Sequence, residues 1–228
     1  MKDNPKHIAI ILDGNRRFAK KLMLEPWKGH EYGKEKVEKL LDYAKDLGIK
    51  EITLYCLSCE NIKSRPKNEL VYLFRIFKEA FKTISKEKIE KNRIKIRFIG
   101  NLHLLPQDLR EECKKLEKAT INNSNFIVNF AIAYGGRQEI IDAVKSIIKN
   151  KIKPEELTEE IFEKNLLLSS EPDMIIRTGG EKRTSNFLPW QSTYSEWFFL
   201  DKFWPEFDKK DLIECIEEFK ARKRNYGK

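Results

Sequence analysis

The chain contains no apolar run long enough to cross a lipid bilayer. A spanning helix needs roughly 18 consecutive apolar residues, whereas the first apolar run, Ile8–Leu12, already ends at Asp13. The residues before it, from Met1 to Lys6, are polar and do not have the pattern of a signal peptide. These absences predict a soluble, cytoplasmic protein rather than an integral membrane protein.

Cysteine and histidine are both scarce, with four and three residues among 228. Cys56 and Cys59 have the spacing of a redox pair, but no second pair and no clustered histidine accompany them to complete a zinc site. The pattern therefore argues against a thioredoxin-like protein and against a zinc protein. Four unpaired cysteines are compatible with an intracellular location.

No segment has the composition of a linker, so we expect a single domain over residues 1–228. Lysine and arginine number 45 against 36 acidic residues, which gives a formal net charge of +9. Such a charge favours phosphorylated substrates, nucleic acid or an acidic membrane surface as partners. Both signs are interleaved along stretches such as 34–39, however, and this arrangement is typical of solvated helix faces.

Short apolar runs alternate with segments of helical periodicity along the chain. Strands that are buried on both faces and separated by helices predict an α/β three-layer sandwich, with a central, mainly parallel sheet of about six strands flanked by helices. Ligands in such sheets bind at the carboxyl ends of the strands. The predicted strands are 8–12, 52–57, 94–99, 126–132, 174–176 and 197–200, and the predicted helices are 31–47, 68–90, 107–121, 137–149, 158–167 and 209–224.

The most informative motif, Asp13-Gly14-Asn15-Arg16-Arg17, follows the first strand and opens a helical pattern. It places one carboxylate, two arginines and a helix start within a few residues. A hard cation prefers such a carboxylate, and arginines bind phosphate oxygens. The motif therefore predicts diphosphate chemistry.

Two further motifs follow predicted strands. The segment 58–66 supplies a hydroxyl, an amide and a guanidinium ahead of a long helix, and by itself it is more typical of an ordinary helix entry than of a binding loop. The segment 177–186 combines two arginines, three hydroxyls and the glycine pair Gly179-Gly180, which lets backbone approach a ligand closely. An incidental surface turn is the alternative. Two basic loops at the ends of separate parallel strands favour a pair of anionic groups held close together.

The predicted helix over 68–84 is apolar around far more than the roughly 100° stripe that packing on a sheet requires. Either neighbours bury both faces of this helix, or one face lines an apolar channel beside the phosphate loops. The channel would accommodate a prenyl chain. Its length would depend on side chains of this helix and on Phe98 or Phe130.

Taken together, the sequence resembles the cis-prenyltransferases, the undecaprenyl or polyprenyl diphosphate synthase family, over nearly its whole length. The first motif, with Arg16 followed by Arg17, is similar to archaeal and eukaryotic members. The matching segments are 7–18, Gly29-His30, 58–66, 129–137 with Tyr134-Gly135-Gly136-Arg137, 177–196 and 204–227.

The resemblance implies that isopentenyl diphosphate is condensed repeatedly onto an allylic diphosphate, farnesyl or geranylgeranyl, with pyrophosphate released and a cis double bond formed at each step. The product would be a cis-polyprenyl diphosphate, the precursor of a lipid carrier. Catalysis is implied for Asp13, Asn15 and His30, the last two nearest to proton removal, although released pyrophosphate is itself a plausible base. The allylic substrate is assigned to Gly14, Asn15, Arg16, Arg17, Phe18, His30, Ser58, Asn61 and Arg65, and isopentenyl diphosphate to Arg177, Arg183 and Ser185.

The resemblance also implies a Mg²⁺ cofactor held by Asp13, with Glu196 assisting across the site. It implies a homodimer, with the aromatic segment 190–204 as core and subunit interface. Peripheral contact with the inner membrane face is a hypothesis based on the lipid product and the positive charge. His7 and His103 are interpreted as structural.

Three positions depart from the family pattern. Pro26 stands where many members have an arginine, and Lys28 is the nearest substitute. Ile62 replaces a frequent aromatic residue, and the loop has an apparent extra residue before Arg65.

Two other functions compete with this interpretation. Non-catalytic partner subunits of the same superfamily typically lack the first-loop aspartate and the third-loop arginines, whereas this chain has both. A nucleic-acid-binding protein would show a stacking-and-basic motif, but here the arginines concentrate at strand ends. We therefore expect no nucleic-acid partner.

Overall fold

The computed structural model describes residues 4–84 and 86–223, in which six strands form one parallel sheet. Their order across the sheet is β3-β4-β2-β1-β5-β6, and all five neighbouring pairs are parallel. The predicted sheet is thus confirmed, with each strand within two residues of its predicted bounds. The strands are β1 (His7–Ile11), β2 (Glu51–Ser58), β3 (Ile94–Ile99), β4 (Phe126–Tyr134), β5 (Met174–Arg177) and β6 (Glu196–Phe199).

Alternate side chains of β1 enter two different apolar clusters. Ile8 and Ile10 belong to a large cluster on one face of the sheet, and Ala9 and Ile11 belong to a smaller cluster on the other face. A strand with apolar side chains on both faces must be covered on both sides, which is why β1 is an unbroken apolar run. The predicted three-layer sandwich is confirmed.

Helices connect the consecutive strands from β1 to β5, whereas β5 leads to β6 through turns. No helix in the described residues is both long enough and apolar enough to cross a membrane. The predicted helix over 68–90 is in fact two helices, because Ile84 adopts an extended conformation (ψ 125°) and its side chain packs against the large cluster. The helices are α1 (Asn15–Lys21), α2 (Gly29–Asp46), α3 (Cys59–Ser64), α4 (Lys67–Thr83), α5 (Lys86–Asn92), α6 (Gln107–Thr120), α7 (Gly136–Lys149), α8 (Glu159–Glu163) and α9 (Lys209–Ala221).

Other helix bounds also differ from the prediction. The helix predicted over 158–167 ends at Glu163, and the chain then turns so that the backbone N–H groups of Leu167 and Leu168 bond the buried carboxylate of Glu139 on α7. The helix predicted over 209–224 ends at Ala221, and residue 224 lies outside the described residues.

The second motif, expected as a loop, contains the short helix α3. The hydroxyl of Ser58 accepts a hydrogen bond from the backbone N–H of Asn61 at 3.0 Å and so caps this helix. The cap satisfies one free N–H of the first turn. Ser58 is therefore held at the carboxyl end of β2, where it faces the site described next.

Candidate active site

Asp13 follows the carboxyl end of β1 and is bound on both of its oxygens. Its Oδ1 accepts the backbone N–H of Gly14 at 2.7 Å and lies 3.1 Å from Nη2 of Arg17. Its Oδ2 lies 2.9 Å from Nη2 of Arg177, which ends β5. One carboxylate therefore joins the first motif to the third.

Gly179 makes this approach possible. Its φ is +91°, and a Cβ atom there would lie 2.6 Å from Nη2 of Arg17 and 3.1 Å from the carbonyl carbon of Asp13. The preceding Thr178 donates its hydroxyl to the carbonyl oxygen of Asp13 at 2.8 Å. A side chain at position 179 would be strained at this φ and would displace Arg17 and crowd the backbone of Asp13, so Gly179 allows the close packing of these two loops.

The two arginines of the third motif have different environments. The side chain of Arg177 is only 4% exposed, and its Nη1 donates to Oγ of Ser185 at 2.7 Å and to the carbonyl oxygen of Arg183. The guanidinium of Arg183 is 60% exposed and pairs with Glu181 at 2.5 Å. Arg177 is therefore fixed in place, while Arg183 meets solvent at the rim.

These motifs enclose two adjoining polar cavities, with volumes of about 720 and 760 Å³ that include space open to solvent. Most of the residues that the resemblance assigns to the two substrates line one or both. The first cavity is lined by Asp13, Gly14, Asn15, Arg16, Arg17, Lys20, His30 and Arg65, and the second adds Ser58, Asn61, Arg177, Arg183 and Ser185.

An apolar cavity adjoins the two polar ones, with a volume of about 780 Å³ that includes space open to solvent. Its wall follows α4 from Leu73 to Phe81, a length of roughly 12 Å at about 1.5 Å per residue, and continues to Ile84 just after the helix. Phe130 of β4 lies opposite. Phe98 stacks behind Phe130, with ring centroids 5.5 Å apart. Of the two readings of this helix, the apolar channel is therefore the one that the structure supports. The remaining α4 residues in the wall are Ile76, Phe77 and Ala80.

The apolar cavity meets a second one of about 760 Å³, and the two share Ile84 and Phe130 as well as residues of α2. This second cavity reaches Lys88 and Asp42, which form an ion pair at 3.0 Å. At the other end, Leu12, Asn15 and His30 line the apolar cavity and both polar ones. These three residues mark the place where the anionic group and the apolar chain of a bound ligand would join.

Arg65 faces the first polar cavity despite the extra residue before it in the sequence. Its Nη1 lies 3.2 Å from Nε2 of His30 and 3.2 Å from Oε1 of Glu69, and its Nη2 donates to Asn61 at 3.4 Å. Burial lowers the pKa of His30 below its ordinary value, so the imidazole is neutral at pH 7. Contact with His30, followed by Arg65 and Arg16, lowers the pKa of Glu69.

The side chain of Asn15 makes one hydrogen bond and packs closely against α2. Its Nδ2 donates to the carbonyl oxygen of Leu12 at 2.9 Å, while its buried Oδ1 has no hydrogen-bond partner among the described residues. Oδ1 would lie only 2.3 Å from a Cβ atom at Gly33, so the absence of a side chain on α2 makes room for it. This oxygen is buried against α2, while the residue as a whole lines the junction of the cavities.

Glu196 is not brought to Asp13. It begins β6 in register with Met174, at the amino end of the sheet, whereas Asp13 follows the carboxyl end of β1. Its carboxylate instead pairs with Arg222 at 2.7 Å. Within one chain the two carboxylates therefore do not share a metal ion, and this part of the expected metal site is corrected.

Two other expectations also change. Phe18 packs edge-on against Tyr32, with ring centroids 5.3 Å apart, and lies outside the three cavities that meet at Asn15. Lys28 is exposed and does not line the first polar cavity, whereas Lys20 on α1 does. Lys20, rather than Lys28, is therefore the candidate to supply the positive charge that many related proteins supply with an arginine at the position of Pro26.

Cys56 lines both the apolar cavity and the second polar cavity, and burial raises the pKa of its thiol to about 12. Cys59 donates to the carbonyl oxygen of Ala133. All four cysteines are free thiols. Neither residue of the pair has the exposed, thiolate-stabilising surroundings of a redox cysteine.

Glu69, Lys20 and Cys56 are site residues that the sequence reasoning missed. The signal for Glu69 was its place in the first turn of an otherwise apolar helix, four residues after Arg65, where an ion pair between the two forms readily. Lys20 and Cys56 carry no comparable signal, because lysines are frequent in this chain and Cys56 lies within an apolar strand.

The donor set suits a hard cation only in part. Among residues 4–84 and 86–223, no three His, Cys, Asp or Glu side chains are grouped closely enough to hold a metal ion. Asp13 supplies a single carboxylate at the polar cavities. A Mg²⁺ ion there would complete its octahedral shell with diphosphate oxygens and water, which is how this ion usually binds beside phosphates.

The fold and site together define an α/β protein that binds diphosphate groups next to an apolar chain. A family model described as "Putative undecaprenyl diphosphate synthase" matches residues 11–227. This match covers nearly all of the chain, which therefore belongs to the undecaprenyl diphosphate synthase family, the cis-prenyltransferases.

Relatives and solved structures agree with this assignment. A Methanopyrus kandleri protein named "Tritrans,polycis-undecaprenyl-diphosphate synthase (geranylgeranyl-diphosphate specific)" is 48% identical over 231 residues, covering 98% of this chain and 85% of that protein. A Methanocaldococcus jannaschii protein with the same name is 45% identical over 237 residues, covering 100% and 84%.

Lavandulyl diphosphate synthase from Lavandula x intermedia, solved in complex with dimethylallyl diphosphate, has a TM-score of 0.93 at 31% identity and covers 99% of both chains. A probable undecaprenyl diphosphate synthase from Campylobacter jejuni has a TM-score of 0.81 at 34% identity and covers 100% of both. The family and fold predicted from the sequence are confirmed, and the chain is a prenyltransferase of the cis type.

Proposed function

We propose that this chain extends geranylgeranyl diphosphate by repeated cis condensation with isopentenyl diphosphate, with Mg²⁺ bound at Asp13. The observation that carries the proposal is the junction at Leu12, Asn15 and His30, where two polar cavities open into one apolar cavity. Geranylgeranyl specificity is printed in the names of the two archaeal relatives, and it supports that starter over farnesyl diphosphate.

In this proposal the allylic diphosphate lies in the first polar cavity, with its oxygens at Arg16, Arg17 and Arg65 and its tail along α4. The diphosphate of isopentenyl diphosphate lies in the second cavity at Arg177, Arg183 and Ser185. Bidentate guanidinium groups suit phosphate oxygens. Asp13 lies between the two sets of arginines, bonded to one member of each.

The reaction breaks the allylic carbon–oxygen bond and joins the allylic carbon to C4 of isopentenyl diphosphate. One proton leaves C2 of the former isopentenyl unit, and pyrophosphate departs. When bound at Asp13, Mg²⁺ neutralises charge on the departing diphosphate. The arginines hold both groups in place, so that the reacting carbons meet at the junction without a search through solution.

Proton removal requires an acceptor at this junction. Neutral His30 is the candidate group of the protein, with Asn15 beside it at the junction, and the departing pyrophosphate is another acceptor. Because burial lowers the pKa of His30, the imidazole stays available as a base to pH values below its ordinary titration range. Walls of Leu73, Ile76 and Phe77 keep water away from the allylic carbon.

The experiment that tests the function measures incorporation of labelled isopentenyl diphosphate into butanol-extractable lipid. Geranylgeranyl and farnesyl diphosphates are compared as starters, with Mg²⁺ and with a chelator. We expect Mg²⁺-dependent incorporation, with a higher kcat/KM for geranylgeranyl diphosphate. If the folded protein incorporates no label with either starter, the proposed function is wrong.

We also propose that the protein is a homodimer. Ile141, Val144 and Ile148 form an apolar stripe on the outer face of α7, and Ile148 is 70% exposed. A second copy of the chain would cover this stripe. Ile148→Glu should shift the protein to monomer in sedimentation analysis, while Val71→Glu, on α4 at 69% exposure, should not. A monomeric wild type at micromolar concentration would contradict this proposal.

Peripheral membrane contact is a further part of the proposal. Met23, 96% exposed at the end of α1, lies next to Lys20 and Lys21, so an apolar tip is flanked by positive charge. Such a tip suits an anionic bilayer surface. We expect co-flotation with anionic vesicles at low salt, reduced by Met23→Glu. Equal recovery with neutral vesicles, or no flotation at all, would contradict the contact.

A further inference from the structure

Glu69 is a deeply buried carboxylate beside the polar cavities, and no step described above uses it. Its side chain is 2% exposed although it lies in the first turn of α4. A carboxylate at the amino end of a helix is favoured by the helix dipole, but surface exposure would provide that benefit as well. Burial of a charge requires partners to offset its desolvation.

The partners come from three different elements. Oε1 of Glu69 lies 3.2 Å from Nη1 of Arg65, 3.6 Å from Nε2 of His30 and 3.7 Å from Nε of Arg16. Arg16 belongs to α1, His30 to α2, and Arg65 to the connection between α3 and α4. A single carboxylate thus holds together groups that the sequence separates by up to 49 positions.

Glu69 lies behind the cavity wall rather than in it. Its three partners all line the first polar cavity, whereas Glu69 does not. Its Oε1 makes no well-aligned hydrogen bond among the described residues, so the attraction is mainly electrostatic. The carboxylate can therefore restrain its partners while leaving their remaining N–H groups free to face a ligand.

We propose that Glu69 is a positioning residue for the allylic diphosphate, because it holds Arg16, His30 and Arg65 on one wall of the first polar cavity. The inference rests on the proposed function, since it assumes that this cavity takes the allylic diphosphate. Among the three partners, Arg65 is expected to depend most on Glu69 for its position, because its guanidinium contacts both Glu69 and His30.

Glu69→Gln distinguishes a positioning role from a purely electrostatic one, because the two roles predict opposite changes in the affinity for a diphosphate. If Glu69 only added negative charge near the cavity, its removal would make the cavity more positive and bind a diphosphate more tightly. If Glu69 positions the wall, removal frees Arg65 and Arg16 from their shared anchor and binding weakens. A displacement of about 1 Å in such a group can cost on the order of 10²-fold.

The test is calorimetric binding of geranylgeranyl thiolodiphosphate, an allylic analogue whose carbon–sulfur bond resists ionisation, without isopentenyl diphosphate. Glu79→Gln is the matched control, because Glu79 lies on the same helix, is 59% exposed and pairs only loosely with Arg75 at 3.9 Å. We expect Glu69→Gln to bind at least about 10-fold more weakly, and Glu79→Gln to bind like wild type. In turnover, KM for the allylic substrate should rise while KM for isopentenyl diphosphate stays unchanged.

Equal or tighter binding by folded Glu69→Gln would overturn the inference. A rise of both KM values together, with a lowered melting temperature, would also overturn it, because that result describes general destabilisation. If wild type fails to bind the analogue, the proposed function and the inference fall together. If Glu69→Gln does not fold, Glu69→Asp, which keeps the charge but shortens its reach, undergoes the same measurement and is expected to bind more weakly than wild type.

Discussion

Asp13→Asn is expected to abolish condensation while leaving diphosphate binding intact or tighter. Asparagine keeps the shape of the side chain and still accepts the backbone N–H of Gly14, but it removes the negative charge between Arg17 and Arg177. Both arginines then have more positive charge available to a diphosphate. The metal loses its protein ligand, and we expect the rate to fall by at least about 10²–10³-fold, the size typical for loss of one preorganised electrostatic group.

Two measurements check this expectation. Single-turnover incorporation of labelled isopentenyl diphosphate reports the chemical step, and titration with inorganic diphosphate in the absence of metal reports binding. Asp142→Asn is the matched control, because Asp142 is an exposed residue of α7 that pairs with Lys145 at 3.3 Å. A variant that loses diphosphate binding as well as activity would show that Asp13 acts chiefly by holding the two arginines in place.

The central part of this site follows from the sequence because its geometry is set by a simple rule. Carboxyl ends of parallel strands meet at one edge of a sheet, so motifs after 8–12, 52–57 and 174–176 must come together. Asp13, Arg65 and Arg177 are close in the structure for that reason. The rule needs only strand positions, and these come from short apolar runs bounded by polar loops.

The same rule explains the failure at Glu196. This residue begins β6 instead of following it, so its side chain lies at the opposite end of the sheet from Asp13. The expectation came from family resemblance, which carries a residue's role but not its place relative to a strand. Glu196 directly precedes the predicted strand 197–200, so the rule itself places this residue at the amino end of the sheet.

Other features depend on tertiary contacts that no local pattern encodes. Glu69 lies at the start of a helix in which most residues are apolar, and no local pattern predicts that its side chain is buried. The burial arises only when α1, α2 and α4 meet. The break at Ile84 has the same character, since an extended residue there lets its side chain join the large apolar cluster. Local propensity continues the helix through this point, and packing overrides it.

Ala80→Trp is expected to shorten the product while leaving the first condensations nearly intact. Ala80 lies on α4 in the wall of the apolar cavity, between Phe77 and the end of the helix before Ile84, and the polar cavities lie beyond the other end of that wall. A tryptophan there buries roughly 150–250 Å² and fills space that a growing chain would need. Because the ring must fit among the apolar side chains that line this cavity, we expect the stability cost of roughly 1–3 kcal/mol usual for overpacking.

The measurement is chromatography of the dephosphorylated products, together with the initial rate of label incorporation. Val71→Trp introduces the same ring on the same helix at a position 69% exposed, and it should leave the product distribution unchanged. An unchanged distribution in Ala80→Trp would mean that the chain does not follow α4. A shift to short products at a near-normal initial rate would place the growing chain beside Ala80. In wild type its path would then continue past Ile84 into the cavity that Lys88 and Asp42 line.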